Sequence, residues 1–375
     1  SHTAKNTRYS LLWRVFLKGT DHDQDKKSVI STEKKTYAHE EASAITIDCS
    51  DGINDILRPS ACAPELAEYP CGLALQKEIC HWWRNEADLS PTEVLLGNGS
   101  QQLLYLVNKL LVGPGSRVLG YTPQYSSYCS DVLFCGGQYR GAKTGDNYCF
   151  DARGLLRELS SDDTLVYLDN PNNPTGQVIP MEQLEAIVQA AEKKSVCVFV
   201  DEAYGDYMPR TASAITLVNK YNNLIVTRSF SKAFGLAGLR LGYLVAQPYV
   251  IRQMKKLTTL YDGSVPARKL AQEVLQDEAF LPQLRERVKQ QKTILLSQTF
   301  ENLRIAHTDI CVPILLLQHK RSDFELAEAF ARAGLGIVSG RSFYGMGSNC
   351  VRLRVPNQEN MQPVVRILHQ VDQQR

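Results

Sequence analysis

Four short polar stretches each follow directly on an apolar run, and between them they hold the residue types that covalent and acid–base chemistry requires. Asp169-Asn170-Pro171-Asn172-Asn173-Pro174-Thr175-Gly176 follows Leu168, and Asp201-Glu202-Ala203-Tyr204 follows Val200. Arg228-Ser229-Phe230-Ser231-Lys232 follows Thr227 and continues through Gly235, Gly238 and Arg240 to Gly242, while Gly97-Asn98-Gly99-Ser100-Gln101 follows Leu96. A lysine amine is a nucleophile and a base, and carboxylates at strand ends take or hold protons. A Gly-Ser helix start, with hydroxyls and a guanidinium nearby, offers an anion its donors. Each stretch alone also has a plain structural explanation: Asn-Pro and Pro-Thr-Gly make turns, and Gly-Ser commonly begins a helix. Their order and spacing in one chain are what point to chemistry.

The elements that must position these stretches are legible around them. Strand-like apolar runs are expected at residues 94–96, 117–119, 164–168, 196–200, 224–227 and 241–245, with helix-period segments at 101–111, 151–159 and 181–194. Continuously apolar strands separated by helices predict a mostly parallel sheet covered on both faces. Such a sheet places its ligand site at the strand ends, where the four polar stretches lie. Beyond residue 248 the pattern changes to long helices at 248–260 and 268–300, strands at 312–317 and 351–355, and helices at 323–333 and 358–371, an α+β layer.

Composition limits the function classes. The chain has 375 residues, 42 Lys+Arg against 40 Asp+Glu and a formal charge of +2, so it lacks the field that steers a polyanion, and no nucleic-acid or membrane partner is expected. The apolar runs fall far short of the roughly 20 residues that span a bilayer. Ten cysteines occur without a C-x-x-C pair or a neighbouring histidine pair, so no metal site is expected and the thiols are read as reduced, mostly as small core residues. The apolar group at residues 11–17 is short and interrupted by Arg14, unlike a secretory signal, which makes a cytoplasmic protein the expectation. Residues 1–44 are polar and charge-rich, and read as an arm that is either a mobile tail or a lid over the active site.

Asn-Pro-x-Asn-Pro-Thr-Gly, Asp-x-x-Tyr and Ser-x-Ser-Lys-x-x-Gly-x-x-Gly-x-Arg, in this order and at these intervals, resemble the aminotransferase class I/II family of pyridoxal-phosphate enzymes. Within it, the branch most similar is that of histidinol-phosphate aminotransferase and threonine-phosphate decarboxylase, and the resemblance runs from about residue 45 to the end. It implies the α/β architecture of fold type I: a large mostly parallel-sheet cofactor domain over residues 45–270 and a smaller α+β domain over 271–375. The cofactor it implies is pyridoxal 5'-phosphate. Lys232 would bind the cofactor aldehyde as a Schiff base and then move the substrate's Cα proton. Asp201 would keep the pyridine nitrogen protonated, Asn173 and Tyr204 would bond the ring's 3-oxygen, and Tyr125 would stack on the ring. Gly99, Ser100 and Gln101 at a helix N-terminus, with Ser229, Ser231 and Arg240, would hold the phosphate. Tyr69 matches the tyrosine that reaches the phosphate from a neighbouring subunit, which implies a homodimer with shared active sites.

For the substrate, the resemblance assigns the carboxylate to Arg352, with Arg354 on the same strand face as a surface or salt-bridged neighbour. Asn54 aligns with an N-terminal segment that closes over substrate, after which Asp55-Ile56-Leu57-Arg58-Pro59 departs from the family pattern. Asp262 in Tyr261-Asp262-Gly263-Ser264 is either a partner for a cationic substrate group or an ordinary turn aspartate. Transamination of an amino acid or related amine is the first expectation. A lyase, cyclase, decarboxylase or oxidase acting on a specialised, arginine-derived amino acid is the alternative, because the cofactor motifs do not decide which Cα bond breaks. A ligand-sensing regulator is disfavoured, since residues 1–44 supply no convincing DNA-binding domain and Lys232 is present.

Overall fold

The computed structural model describes residues 46–49, 56, 70, 72–258 and 262–374. The arm at 1–44 lies outside them, as do Asn54, Tyr69, Tyr261 and, apart from Ile56, the divergent segment at 55–59. In chain order, β1 (Ile47–Asp48) precedes α1 (Ala74–Trp83), β2 (Val94–Gly97), α2 (Ser100–Leu111), β3 (Arg117–Thr122), β4 (Gln124–Tyr125), α3 (Ser126–Phe134), β5 (Gln138–Lys143) and α4 (Ala152–Glu158). Next come β6 (Leu165–Asp169), α5 (Met181–Lys193), β7 (Cys197–Glu202), β8 (Leu224–Ser229), β9 (Gly242–Ala246), α6 (Pro248–Met254), α7 (Val265–Gln276) and α8 (Phe280–Leu296). The chain ends with β10 (Leu303–Ile305), β11 (Ile314–His319), α9 (Leu326–Arg332), β12 (Leu335–Gly336), β13 (Val338–Ser339), β14 (Phe343–Tyr344), β15 (Cys350–Arg354) and α10 (Gln358–Asp372).

Seven strands form the main sheet in the order β2-β9-β8-β7-β6-β3-β5. β8, β7, β6, β3 and β5 run parallel, and β9 is antiparallel to both of its neighbours, β8 and β2. From β3 the chain adds β5 on one side and β6 on the other, so the strand order reverses at β3/β6, the point where an open α/β sheet leaves a crevice at its strand ends. Alternation along the strands sends Val166, Leu168, Val198, Val200 and Val226 into one apolar layer and Leu165, Tyr167, Cys197, Phe199 and Ile225 into the other. Both faces are therefore dry. This is why the central strands read as unbroken apolar runs.

A second sheet, β10-β11-β15-β13, is antiparallel and packs Leu315, Leu317, Val351 and Leu353 against Phe330 of α9 and Val364 and Leu368 of α10. α8 serves both cores, since Leu284 and Val288 pack with the main sheet and Leu295 with the second. The division expected at residue 270 falls inside α7, whose Ala271, Val274 and Leu275 belong to the main core.

Two sequence expectations change, and one strand was not expected. The single helix over 268–300 is two, because Asp277 ends α7 and its Oδ1 accepts from the N–H groups of Ala279 (3.2 Å) and Phe280 (3.1 Å), which starts α8. The helix expected over 248–260 closes at Met254, and Lys255–Leu257 form a turn. β5 carries no apolar run because it is the sheet's edge, where one side of Gln138-Tyr139-Arg140-Gly141-Ala142-Lys143 meets solvent. Of the eight described cysteines only Cys49, Cys129, Cys197 and Cys350 are buried, Cys149 is exposed, and none is disulfide-bonded. Among the described residues no helix is long and apolar enough to cross a membrane, and no three His, Cys, Asp or Glu side chains are grouped to hold a metal ion.

Candidate functional site

Strand register brings the first three polar residues together. Asp169 at the end of β6, Asp201 in β7 and Thr227 in β8 are register partners on adjacent parallel strands, so their side chains stand side by side on one face. Asp201 is buried, and its Oδ1 accepts from Thr227 Oγ1 (3.1 Å) and the Ala203 N–H (3.1 Å), while Oδ2 accepts from Tyr167 Oη (3.4 Å). Burial, followed by the charge of Asp169, pushes its carboxyl up to about 7. A cation placed beside it would hold it ionised.

The alternate residues of the same strands point the other way. Arg228, next to Thr227, pairs with Glu202 (2.8 Å) and with Asp206, and its guanidinium lies 5.1 Å from the Trp83 ring. This buried network underlies the two strands that carry Asp201 and the lysine loop.

That loop is pinned by aromatic anchors. Phe230 packs 5.7 Å from Phe234 and 5.8 Å from Tyr243, and Phe234 stacks on Phe280 at 5.8 Å. Between the two phenylalanines, Lys232 is half-buried and carries its Nζ 5.6 Å from the centre of the Tyr204 ring. The Tyr204 hydroxyl is buried and makes no hydrogen bond with the described residues. A buried hydroxyl without a partner costs about 1–3 kcal/mol, and among the described residues this one has none.

A candidate anion cradle lies at the start of α2. Gly99 precedes it with φ +81°, and a Cβ there would lie 2.7 Å from Arg240 Nη2, so the guanidinium rests directly against this glycine. Gly242 permits the same closeness on the other side, where a Cβ would come within 2.8 Å of the Ser100 main-chain nitrogen. Ser229 and Ser231 are buried beside them, with the Ser231 N–H donating to Ser229 Oγ at 3.1 Å. Gln101 donates from Nε2 to Ser127 Oγ (3.1 Å) and Tyr105 Oη (2.5 Å), which leaves its main-chain N–H in the first turn of the helix.

Tyr125 is half-buried. Burial pushes its phenol up, and the charges of Asp201 and Tyr204 act in the same direction. β4 pairs with β14, so Tyr125 lies opposite Phe343, and the Arg352 guanidinium is 5.7 Å from that ring. Arg352 is 2% exposed and donates from Nη1 to Asn173 Oδ1 at 3.0 Å. Arg354 is 6% exposed, so it is not the surface residue the sequence suggested. Asp262 is buried too, and its carbonyl oxygen accepts from Arg268 Nε (3.2 Å) and Nη2 (2.8 Å). Its neighbour Gly263 donates to Asn98 Oδ1 (3.3 Å), which sets this turn against the cradle loop. Asn54 and Tyr69 lie outside the described residues.

The sequence reading missed Thr227, Tyr167, Phe343 and the hydrogen-bonding role of Asp169. Thr227 comes beside Asp201 only through the register of β7 with β8. Nothing local marks Phe343, which arrives through β14.

Pyridoxal phosphate fits this arrangement. The ring's oxygen would satisfy the orphaned Tyr204 hydroxyl, Asp201 would meet the pyridine nitrogen, and the phosphate would take the donors around Gly99 and Arg240.

The profile of the family described as aminotransferase class I and II matches residues 64–368. Histidinol-phosphate aminotransferase 1 of Nitrosococcus oceani is 31% identical over 285 residues, 74% of this chain and 75% of that protein. Histidinol-phosphate aminotransferase of Listeria innocua is 32% identical over 220 residues, 58% of this chain and 60% of that relative's length. Among solved structures, histidinol-phosphate aminotransferase of Sinorhizobium meliloti in complex with pyridoxal-5'-phosphate superposes with a TM-score of 0.77 at 21% identity, covering 94% of this chain and 98% of its own.

Proposed function

The chain belongs to the aminotransferase class I and II family, and from that premise we propose that it is a pyridoxal-phosphate-dependent transaminase of an amino acid or related amine. The observation that carries this reading is the Lys232 amine 5.6 Å from the ring of Tyr204, whose buried hydroxyl makes no hydrogen bond with the described residues, beside the segment that carries the buried Asp201 carboxylate. When bound, the cofactor supplies an aldehyde carbon to the amine and a protonated ring that withdraws the electron pair left at Cα.

The chain's own residues do the rest. Lys232 would hold the cofactor's aldehyde carbon in the resting enzyme and, once freed, take the Cα proton and return it. Its place on a loop pinned by Phe230 and Phe234 supports that double use, because the amine swings from a fixed base. Asp201, in a dry environment, would make a strong ion pair with a ring N–H and keep it charged. Tyr204 and Asn173 would bond the ring oxygen, and Tyr125 would cover the ring face. Gly99, Ser100, Gln101, Ser229, Ser231 and Arg240 would anchor the phosphate, which fixes the ring while the lysine moves. Arg352 would grip the substrate carboxylate with its planar fork.

A cytoplasmic homodimer is part of the same proposal, with Tyr69 of each subunit reaching the phosphate of its neighbour. The family resemblance supports it.

The test is incubation of the cofactor-loaded protein with a panel of amines in deuterated water, read by NMR. The panel holds the common amino acids, arginine derivatives and histidinol phosphate, the compound in the relatives' names. Keto product together with aminated cofactor is expected. Deuterium at Cβ without amine transfer would replace this proposal with elimination or cyclisation. Lys232→Ala is expected to abolish the visible band of the bound cofactor, and an unchanged spectrum would refute the lysine's role.

A further inference from the structure

The strongest unassigned feature is a second buried carboxylate beside Asp201. Asp169 closes β6, is 3% exposed, and is the register partner of Asp201 on the neighbouring strand, with strands about 4.8 Å apart. Burial pushes its carboxyl up to about 6, against the lowering effect of its hydrogen-bond donors. Two carboxylates side by side at a dry sheet end cost stability. A neutral residue would be cheaper, so the position calls for something a neutral residue does not provide.

The hydrogen bonds show what that is. Oδ1 accepts from Gln124 Nε2 (3.1 Å) and Asn172 Nδ2 (3.0 Å), and Oδ2 accepts from the Asn173 main-chain N–H (3.2 Å). All three partners are N–H donors. An ionised carboxylate, with acceptors on both oxygens and no proton of its own, meets them all. Gln124 is held in turn by the Tyr167 carbonyl (3.0 Å) and the Tyr121 N–H (3.1 Å), so the carboxylate is tied to a rigid part of the sheet. On its other side, Asn172 Oδ1 accepts from Thr175 N–H (3.1 Å) and Oγ1 (2.5 Å), closing the turn. The side chain of Asn173 leaves that turn to meet Arg352 Nη1.

We propose that Asp169 is a positioning residue for the substrate carboxylate: it fixes Asn173 through its main-chain N–H, and Asn173 in turn aims the guanidinium of Arg352. The assignment rests on Arg352 binding that carboxylate, as in the function proposed above.

Asp169→Asn tests it, because the change keeps the shape while turning one acceptor into an NH2 group that faces donors. With the amino donor that turns over in the panel, KM is expected to rise about tenfold or more while kcat stays within about fivefold. The amine of the same skeleton without its carboxylate is expected to show no change in KM. Asn173→Ala raises the same KM, and the double variant is no worse in KM than Asn173→Ala alone. Additive effects, or an equal rise for the carboxylate-free amine, overturn the assignment. Amide hydrogen exchange of the peptide spanning residues 170–176 in the cofactor-loaded protein reads the anchor without turnover. Faster exchange in Asp169→Asn supports the proposal, and unchanged exchange overturns it. If no amine in the panel turns over, it is the proposed function that fails, and the exchange measurement still decides whether Asp169 anchors the turn that holds Asn173.

Discussion

Lys292 lies on α8 with its side chain wholly inside the protein, and its Nζ is within hydrogen-bonding distance of four acceptors, Thr308 Oγ1 (2.6 Å) and the carbonyl oxygens of Asp309 (2.6 Å), Val312 (2.7 Å) and Ile314 (2.9 Å). Burial pushes its pKa down from 10.5 to about 7, with Asp309 opposing. A folded-state pKa below the unfolded one means that between these values the unfolded chain binds the extra proton. Stability from this group therefore rises with pH, from its lowest level below about 7 to its full level above 10.5. Each pKa unit is worth about 1.4 kcal/mol, so the whole interval amounts to about 5 kcal/mol. Lys292→Met removes the titration. It also strands carbonyl oxygens at about 1–3 kcal/mol each, although Ile314 O keeps a bond from Thr308 Oγ1 at 3.4 Å. That second loss is the same at every pH, so it shifts the curve without tilting it. Urea unfolding of both proteins at pH 6.5, 7.5, 8.5 and 9.5 is the assay. The stability of wild type minus that of the variant is expected to grow by about 1.4 kcal/mol per pH unit above pH 7. A difference that stays constant across the range would refute the reasoning, because it would mean that Lys292 titrates alike in both states.

Two further predictions follow from the site's surroundings. Gly99→Ala forces a side chain into a backbone conformation that glycine favours, with a Cβ 2.7 Å from Arg240 Nη2; affinity of the apoprotein for pyridoxal phosphate is expected to fall by about tenfold or more, and equilibrium titration showing unaltered affinity would remove Arg240 from the phosphate site. Arg228→Met leaves Glu202 and Asp206 buried without their cation; a loss of about 3–5 kcal/mol is expected in denaturant unfolding, and a loss under about 1 kcal/mol would show that those carboxylates are satisfied by other groups.

The parallel sheet was legible because both of its faces are dry: Leu165–Leu168 and Val196–Val200 are apolar at every position, which excludes a half-exposed strand. The candidate cofactor residues were open to sequence reading because most of them lie within a few residues of a strand end, so local order in the chain translates directly into proximity. β5 was not legible, since an edge strand needs no apolar pattern, and neither was the break at Asp277, where one side chain caps a helix inside an otherwise helical run. Asp169 lay in view directly before a recognised motif. Asn172 and Asn173 are close in sequence, but the third donor, Gln124, comes from a different strand end and no local pattern announced it.

By itself the amino-acid sequence determined what chemistry the chain can carry. Lys232, Asp201, Tyr204 and the Gly99-Ser100-Gln101 turn are fixed by residue type and spacing, and a motif a few residues long keeps its internal geometry wherever it is placed. Tertiary structure alone decided what lies across from them. The pairing of β6 with β7 put two carboxylates side by side, and the pairing of β4 with β14 brought Phe343 opposite Tyr125. The bond from Arg352 to Asn173 joins residues 179 positions apart. Contacts of that kind arise from strand order and register, which depend on how all the apolar faces are buried at once. No single stretch of the chain holds that information.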